Sequence, residues 1–362
     1  MKKLFIMMLA LTLVAAVPAI ANDLISVDGV LTRKDIPFSS SYPDNPELSG
    51  VSPTTGFSWQ GVYAPVIMVL DNAPDAYPHW GVQNADIFYQ MPNAGKGATK
   101  LLAMFSDHMP EAAGGSRSAR TPFVDVARGW GAAFAYAGYP GVDDSSKASV
   151  PGKLRAGKMS RDVLSFTLLG NAYSQRIKGY NSPHNLSADL LKIQETALKN
   201  GAQFVQKPFL FTDELPQSGD DARYFEVRHF GETAQKGDGN PASYSTFSYD
   251  EGKNGYIRTN SSGPYVDRDA VGSPIIFSNV IIQRVQFSYS EGFVQMNYLE
   301  GTGAADIFTG GKYIPGGWYR DTLDSRTVFV DETGSEIQMQ RGKTFIVMSN
   351  DTTTVSYAPA KP

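Results

Sequence analysis

The sequence predicts an α/β N-terminal domain followed by a mainly antiparallel, all-β C-terminal domain, α+β overall. Between residues 63 and 215 short apolar runs alternate with helix-forming stretches, the pattern of strands and helices packed in layers. Beyond residue 242 helical spacing disappears, and β-rich runs are separated by turns containing Gly and Asp, as in a sandwich or barrel-like module. From Phe211 to Ala242 the composition shifts to Asp, Gly, Gln and Lys, which places a junction at residues 216–241.

The first residues set the compartment. Lys2 and Lys3 precede an apolar run from Leu4 to Val17, and Ala19-Ile20-Ala21 supplies the small residues a signal peptidase reads. Residues 1–21 are therefore expected to be a signal peptide cleaved near Ala21, leaving a periplasmic or extracellular chain. No later run approaches the roughly 20 apolar residues needed to span a bilayer. Loss of Lys2 and Lys3 moves the formal net charge from −4 to −6, which argues against nucleic acid as a partner. The absence of cysteine excludes disulfides, thiolate metal sites, cysteine nucleophiles and a lipid-modified cysteine.

Residues 22–62, rich in Ser, Pro, Gly and Asp, read as an extended arm or linker laid across the surface. Pro65–Leu70 then gives a buried strand that ends in Asp71-Asn72, and Ala85–Gln90, Leu101–Phe105 and Ala132–Gly138 give three more. Helices are predicted near 122–130, 146–157 and 187–200. Ser187 is the expected cap of the last, with Asn185 as the alternative, so that His184 lies just outside a helix N-terminus.

Gly114-Gly115-Ser116-Arg117-Ser118-Ala119-Arg120-Thr121-Pro122 is the stretch with the clearest chemistry. Thr121 is the expected cap and Pro122 suits the first helical turn. Arg117 and Arg120 thus sit in a loop feeding a helix start, where two guanidinium forks make an anion site. The alternative is that one or both arginines pair with Asp71, Asp86 or Asp125 and hold only the fold. Asp71 lies where ligands collect, beyond the carboxyl end of a strand, and it is equally good turn chemistry. His184 is a candidate acid, base or ligand-orienting group, or a shaper of its turn. The candidate catalytic residues are thus His184 and Asp71, and the candidate ligand-binding set is Arg117, Arg120, Asp71, Asn72, His184 and Asn185.

In the C-terminal half, strands are expected at Tyr244–Tyr249, Gly255–Thr259, Ile275–Ser288, Phe293–Leu299, Asp306–Thr309, Thr327–Val330, Glu336–Gln340 and Thr344–Met348. The all-β domain spans 242–350 and a tail 351–362. Gly301-Thr302-Gly303 and Gly310-Gly311-Lys312 lack the strand-to-helix context of a phosphate loop and read as turns.

Pro65–Asn72, Ala85–Tyr89, Ser116–Arg120 and Ser182–Leu186, with Asn279–Gln283, Gly301–Gly303, Gly316-Gly317-Trp318 and Gly342–Ile346, together resemble the YerB-like family of bacterial envelope proteins over roughly residues 63–350. The resemblance implies an envelope protein with paired N- and C-terminal domains of unknown function. That family is mostly one of predicted lipoproteins, and this chain departs from it in having no cysteine. Tyr265 stands where the family pattern places a histidine before Asp267, and Pro140-Gly141 replaces a plainer His/Gly-rich stretch.

His79, His108, His184 and His229 show no metal-ligand spacing, so neither metal nor cofactor is expected. No Gly-x-Ser-x-Gly elbow occurs, and Ser116 and Ser118 read as loop hydrogen-bonders. Among aromatics near these loops, Tyr136, Tyr139, Tyr173, Tyr180, Trp59, Trp80 and Trp130 could stack on sugars, although in a chain that is 12% aromatic most rings belong to the core. Three classes of function follow: an envelope protein holding an anionic or glycan ligand, a cell-wall-acting hydrolase or transferase, and a structural protein that docks an envelope partner.

Overall fold

The structure is a computed structural model that describes residues 23–39, 42–43, 45–46, 48–94, 98–170, 172–229, 244–297 and 299–362. The expected signal peptide and its cleavage site lie outside these residues, as does part of the expected junction.

The principal elements are β1 (Val66–Leu70), β2 (Ile87–Ala94), β3 (Ala98–Phe105), α1 (Thr121–Trp130), β4 (Ala133–Tyr136), α2 (Val150–Ala156), β5 (Ser165–Thr167), β6 (Leu186–Ala188) and α3 (Leu190–Lys199). They continue with β7 (Tyr224–Arg228), β8 (Tyr244–Asp250), β9 (Gly255–Asn260), β10 (Ile276–Arg284), β11 (Gln286–Ser290), β12 (Phe293–Asn297) and β13 (Gly301–Thr309). β14 (Lys312–Arg320), β15 (Val328–Asp331), β16 (Lys343–Ser349) and β17 (Thr354–Ala358) complete the order. Strand dominates the chain, and all three α-helices of the described residues fall between residues 121 and 199.

The two halves meet in one sheet. β5, β4, β1, β3 and β2 are successive neighbours, parallel across β5–β4–β1 and antiparallel across β1–β3–β2. β2 then pairs in parallel with β16, with Phe88 opposite Phe345, and β16 pairs in parallel with β10. Antiparallel strands β13, β14 and β15 follow, while β9, β8, β7 and β17 branch from the start of β10. The expected separation into an α/β layer and an all-β module therefore gives way to a mostly-β architecture in which strands from both halves share ladders.

β1 shows why the core is continuous. Val66, Met68 and Leu70 face one apolar cluster, with α3 residues Leu190 and Ile193 and β8 residue Phe247. Ile67 and Val69 face the other, with α1 residues Phe123, Val124 and Ala127. A strand covered on both faces has no polar alternation, which explains its unbroken apolar sequence.

Several local expectations change. Thr121 does not cap α1: its hydroxyl donates to Gln295 Oε1 at 2.9 Å, and Arg120 occupies the cap position without a side-chain cap bond. α1 ends at Gly131, left-handed at φ 61°, whose N–H reaches the carbonyls of Ala127 and Arg128. Neither Ser187 nor Asn185 caps α3. Ser187 lies in β6 and accepts from Trp80 Nε1, while Asp189 caps Lys192 N–H at 2.9 Å. Ile275–Ser288 divides into β10 and β11 at Val285. Gly301-Thr302-Gly303 opens β13 rather than making a turn, and a Cβ at Gly303 would collide with the Trp318 indole.

The N-terminal arm supplies anchors. Ile25–Ser26 pair with Tyr357 and Ser356 of β17. Arg33 donates to the carbonyls of Ala305 and Gly316 at 2.6 Å and to Asp306 Oδ1 at 2.7 Å. Ile36 is buried, and Ser52, Thr54 and Thr55 bond Asp107.

Candidate functional site

The site grows from the carboxyl ends of β1 and β4. These parallel neighbours pair over Val66–Met68, and beyond that the segment 115–119 enters between them. Asp71 N–H donates to Gly115 O, Arg117 N–H to Val69 O, Ala137 N–H to Arg117 O, and Ala119 N–H to Gly138 O, each at 2.9–3.0 Å. On its other side, Ser116 N–H reaches Leu186 O. Gly115 must be glycine, because a Cβ there would strike the His184 carbonyl. This stitching fixes Arg117 beside Asp71 and holds the His184 turn above both.

Asp71 is buried to 1% exposure and is the hub. Lys100 Nζ, from β3, lies 2.5 Å from Oδ1. Arg117 Nε lies 2.8 Å from Oδ2, an ion contact without the alignment of a hydrogen bond. His184 Nδ1 lies 2.7 Å from the same oxygen. Burial opposes the charge on Asp71, but the charge and hydrogen bond of Lys100, then Arg117 and His184, prevail and hold its pKa at about 2. An ionised carboxylate only accepts, so His184 carries a proton on Nδ1 and turns Nε2 away from Asp71.

Arg120 completes the basic cluster. Its Nη1 donates to Ala119 O at 2.7 Å and its guanidinium lies 4.9 Å from the Phe293 ring centroid. No carboxylate of the described residues pairs with it, and its buried Nε has no partner among them. Burial, then the charge of Arg117, lowers its pKa to about 10, so it remains a cation at neutral pH. Lys100 and Arg117 therefore share the Asp71 carboxylate while Arg120 stands near them without one, and positive charge is in excess.

The structure thus brings Asp71, Arg117 and His184 into contact and places Arg120 close by. Asn72 and Asn185 point elsewhere. Asn72 is buried between Thr99 Oγ1 (2.7 Å) and Tyr77 O–H (2.5 Å), and Asn185 bonds Arg176 and the Ile177 carbonyl. Asp86 and Asp125 do not take the arginines: Asp86 accepts from the N–H groups of Ser106 and Asp107, and Asp125 pairs with Lys153 at 2.9 Å. Ser116 and Ser118 donate to the carbonyls of Val69 and Ala137.

Lys100 and His79 were not singled out from the sequence. A lysine inside the apolar strand Ala98–Phe105 was the available signal for the first, since a buried ammonium demands a counter-charge. His79 is fully buried behind Asp71, with Nε2 2.6 Å from the Asp71 carbonyl and Nδ1 3.2 Å from the Tyr265 hydroxyl. A carbonyl accepts, so Nε2 bears the proton and Nδ1 accepts from Tyr265. Burial chiefly lowers its pKa to about 4 and keeps it neutral. Tyr265 is a core residue set edge-on to Phe88.

Comparison with known proteins places the chain. Residues 54–203 match the model described as "Protein of unknown function (DUF3048) N-terminal domain", and residues 238–346 match the corresponding C-terminal domain. The chain belongs to the DUF3048 family. This DUF3048 protein is 26% identical over 286 residues to "Putative lipoprotein YerB" of Bacillus subtilis (strain 168), covering 78% of this chain and 80% of that protein. The crystal structure of the Bacillus subtilis YerB protein superposes with a TM-score of 0.67 at 24% identity, over 84% of this chain and 99% of that one. That likeness establishes the shared DUF3048 fold. Unlike a lipoprotein anchored through a cysteine, this family member has none, and no described helix is long and apolar enough to cross a membrane.

Proposed function

We propose that this DUF3048 protein is an exported envelope protein that binds an anionic or glycan ligand at the Lys100–Arg117–Arg120 cluster. The observation that carries the reading is Arg120, a largely buried cation with an unpartnered Nε and no carboxylate among the described residues. Desolvating a guanidinium without a counter-ion is unfavourable, and an incoming carboxylate or phosphate would relieve that penalty and restore its hydrogen bonds. The relationship to a protein named "Putative lipoprotein YerB" and the apolar leader at residues 4–17 support export.

A second reading is supported by the Asp71–His184 pair. A histidine oriented by an ionised carboxylate, with Nε2 unpaired among the described residues, is arranged as a general base, which suits a hydrolase or transferase acting on cell-wall material. Asp71 itself, ionised and tied to Lys100, is the orienting group rather than the proton donor. The alternative of a purely partner-docking protein finds support in Arg117, which is paired internally, and less in Arg120.

The test is a thermal-shift titration with inorganic phosphate. A ligand that binds only the folded state raises the melting point by mass action. Phosphate should stabilise the wild type and leave Arg120→Gln unmoved; equal shifts in both proteins would remove the cluster from consideration.

A further inference from the structure

We propose that the ligand is an anionic glycan, with its charged group at Arg120 and its neighbouring sugar rings in the groove between α2 and the β11–β12 hairpin; this rests on the anion-binding reading above. The groove has a volume of about 1010 Å³, the upper end of the range of small-molecule sites, roughly 300–1,000 Å³. Its walls include Ser146, Ser149 and Lys153 on the helix side and Tyr289, Ser290 and Gln295 on the hairpin. Hydroxyl, amide and ammonium groups with one half-exposed tyrosine ring, Tyr289 at 46% exposure, suit a ligand that offers many hydroxyls and flat C–H faces.

Part of the groove wall and the floor under Arg120 share one strand face. In the hairpin Ser288 stands opposite Gln295 and Ser290 opposite Phe293, so these four side chains project to the same side. Arg120 lies against Phe293, and Thr121 bonds Gln295. Phe293, under the Arg120 guanidinium, and Gln295, which lines the groove, are therefore next neighbours on one face of the strand. Asp144 and Glu291 also line it, and their negative charge disfavours a densely charged polyanion such as nucleic acid. Sparse charge on a hydroxyl-rich chain fits both parts. A sugar carboxylate and a sugar phosphate offer Arg120 the same chemistry, and the experiment separates them.

Isothermal titration of the purified protein would compare inorganic phosphate, glucuronate and glucose 6-phosphate with a hyaluronan tetrasaccharide and with maltotetraose carrying one 6-phosphate. In at least one arm the charged tetrasaccharide should bind tenfold or more tightly than its charged monosaccharide, and the arm that shows the gain identifies the anion. Ser290→Trp, which fills the groove from a partly exposed hairpin position, should abolish the gain, and Tyr289→Ala should reduce it. No gain in either arm, or a gain unaffected by both variants, overturns the proposal while leaving anion binding at Arg120 intact. Absence of binding by phosphate and by both charged monosaccharides overturns the anion-binding reading and this inference with it.

Discussion

His184 Nδ1 and Asp71 Oδ2 lie 2.7 Å apart although 113 residues separate them in the chain. Asp71 closes β1, whereas His184 belongs to a turn held by the 115–119 segment. The contact exists because that segment bonds β1 on one side and the entry to β6 on the other. Its chemistry is set by the same hub that holds Lys100 and Arg117.

Replacing that hub should be costly. Asp71→Ala strands the buried Lys100 ammonium without its counter-charge, a loss on the order of 3–5 kcal/mol. Urea denaturation checks this; a change below about 1 kcal/mol would show that the pairing contributes little.

Arg117 and Arg120 should separate in their effects. Arg117→Ala breaks a partly exposed ion pair with Asp71 and should destabilise by about 1–2 kcal/mol. Arg120→Gln breaks no ion pair of the described residues, so the melting temperature should hold within a few degrees while the phosphate-induced shift disappears. Parallel melts with and without phosphate decide it.

The two site histidines should differ in tautomer. Nitrogen-15 spectra at neutral pH should show His79 protonated at Nε2 and His184 protonated at Nδ1. His79, held down to about 4 by burial, contributes stability present above its unfolded value of about 6.5 and lost as pH falls toward 4. His79→Gln should flatten that limb of the stability curve.

Acid and alkaline limbs should also separate. Asp71, at about 2 in the folded state, contributes stability present above roughly pH 4 and lost as pH falls toward 2. Asp86 has the opposite sign. Burial, then the charge of Asp107, raises it to about 7, so its contribution is complete below roughly pH 4 and is lost as pH rises through 7. Asp86→Asn should therefore reduce the decline in stability between pH 4 and 7, measured by denaturation across that range.

Arg33 should hold the arm. Its guanidinium bonds Asp306 and two carbonyls, so Arg33→Ala should expose residues 23–34 to limited proteolysis well before the wild type is cut. Equal cleavage rates would show that the pairing of Ile25–Ser26 with β17 suffices alone.

Particular residues show how much was legible in the sequence. The uninterrupted run Pro65–Leu70 announced a buried strand, and Thr121-Pro122 announced a helix near 122–130, because each depends on local sterics and periodicity. The loop carrying Arg117 and Arg120 and the candidate Asp71 were visible for the same reason. Local pattern could not distinguish Ser187 in a strand from Ser187 as a cap: its neighbours fit either, and the long-range bond from Trp80 favours the strand. Nor could it show that Phe88 would stand opposite Phe345 and join the two halves into one sheet. Likewise Arg117 and Arg120, three residues apart and chemically identical, receive different surroundings, one beside Asp71 and the other over Phe293. The sequence by itself determined which groups the protein possesses and roughly where its longer apolar strands and its helices run, since those follow from side-chain sterics and short-range spacing. Only the tertiary structure decided which charges are compensated, because pairing and desolvation depend on what the fold brings within a few ångströms.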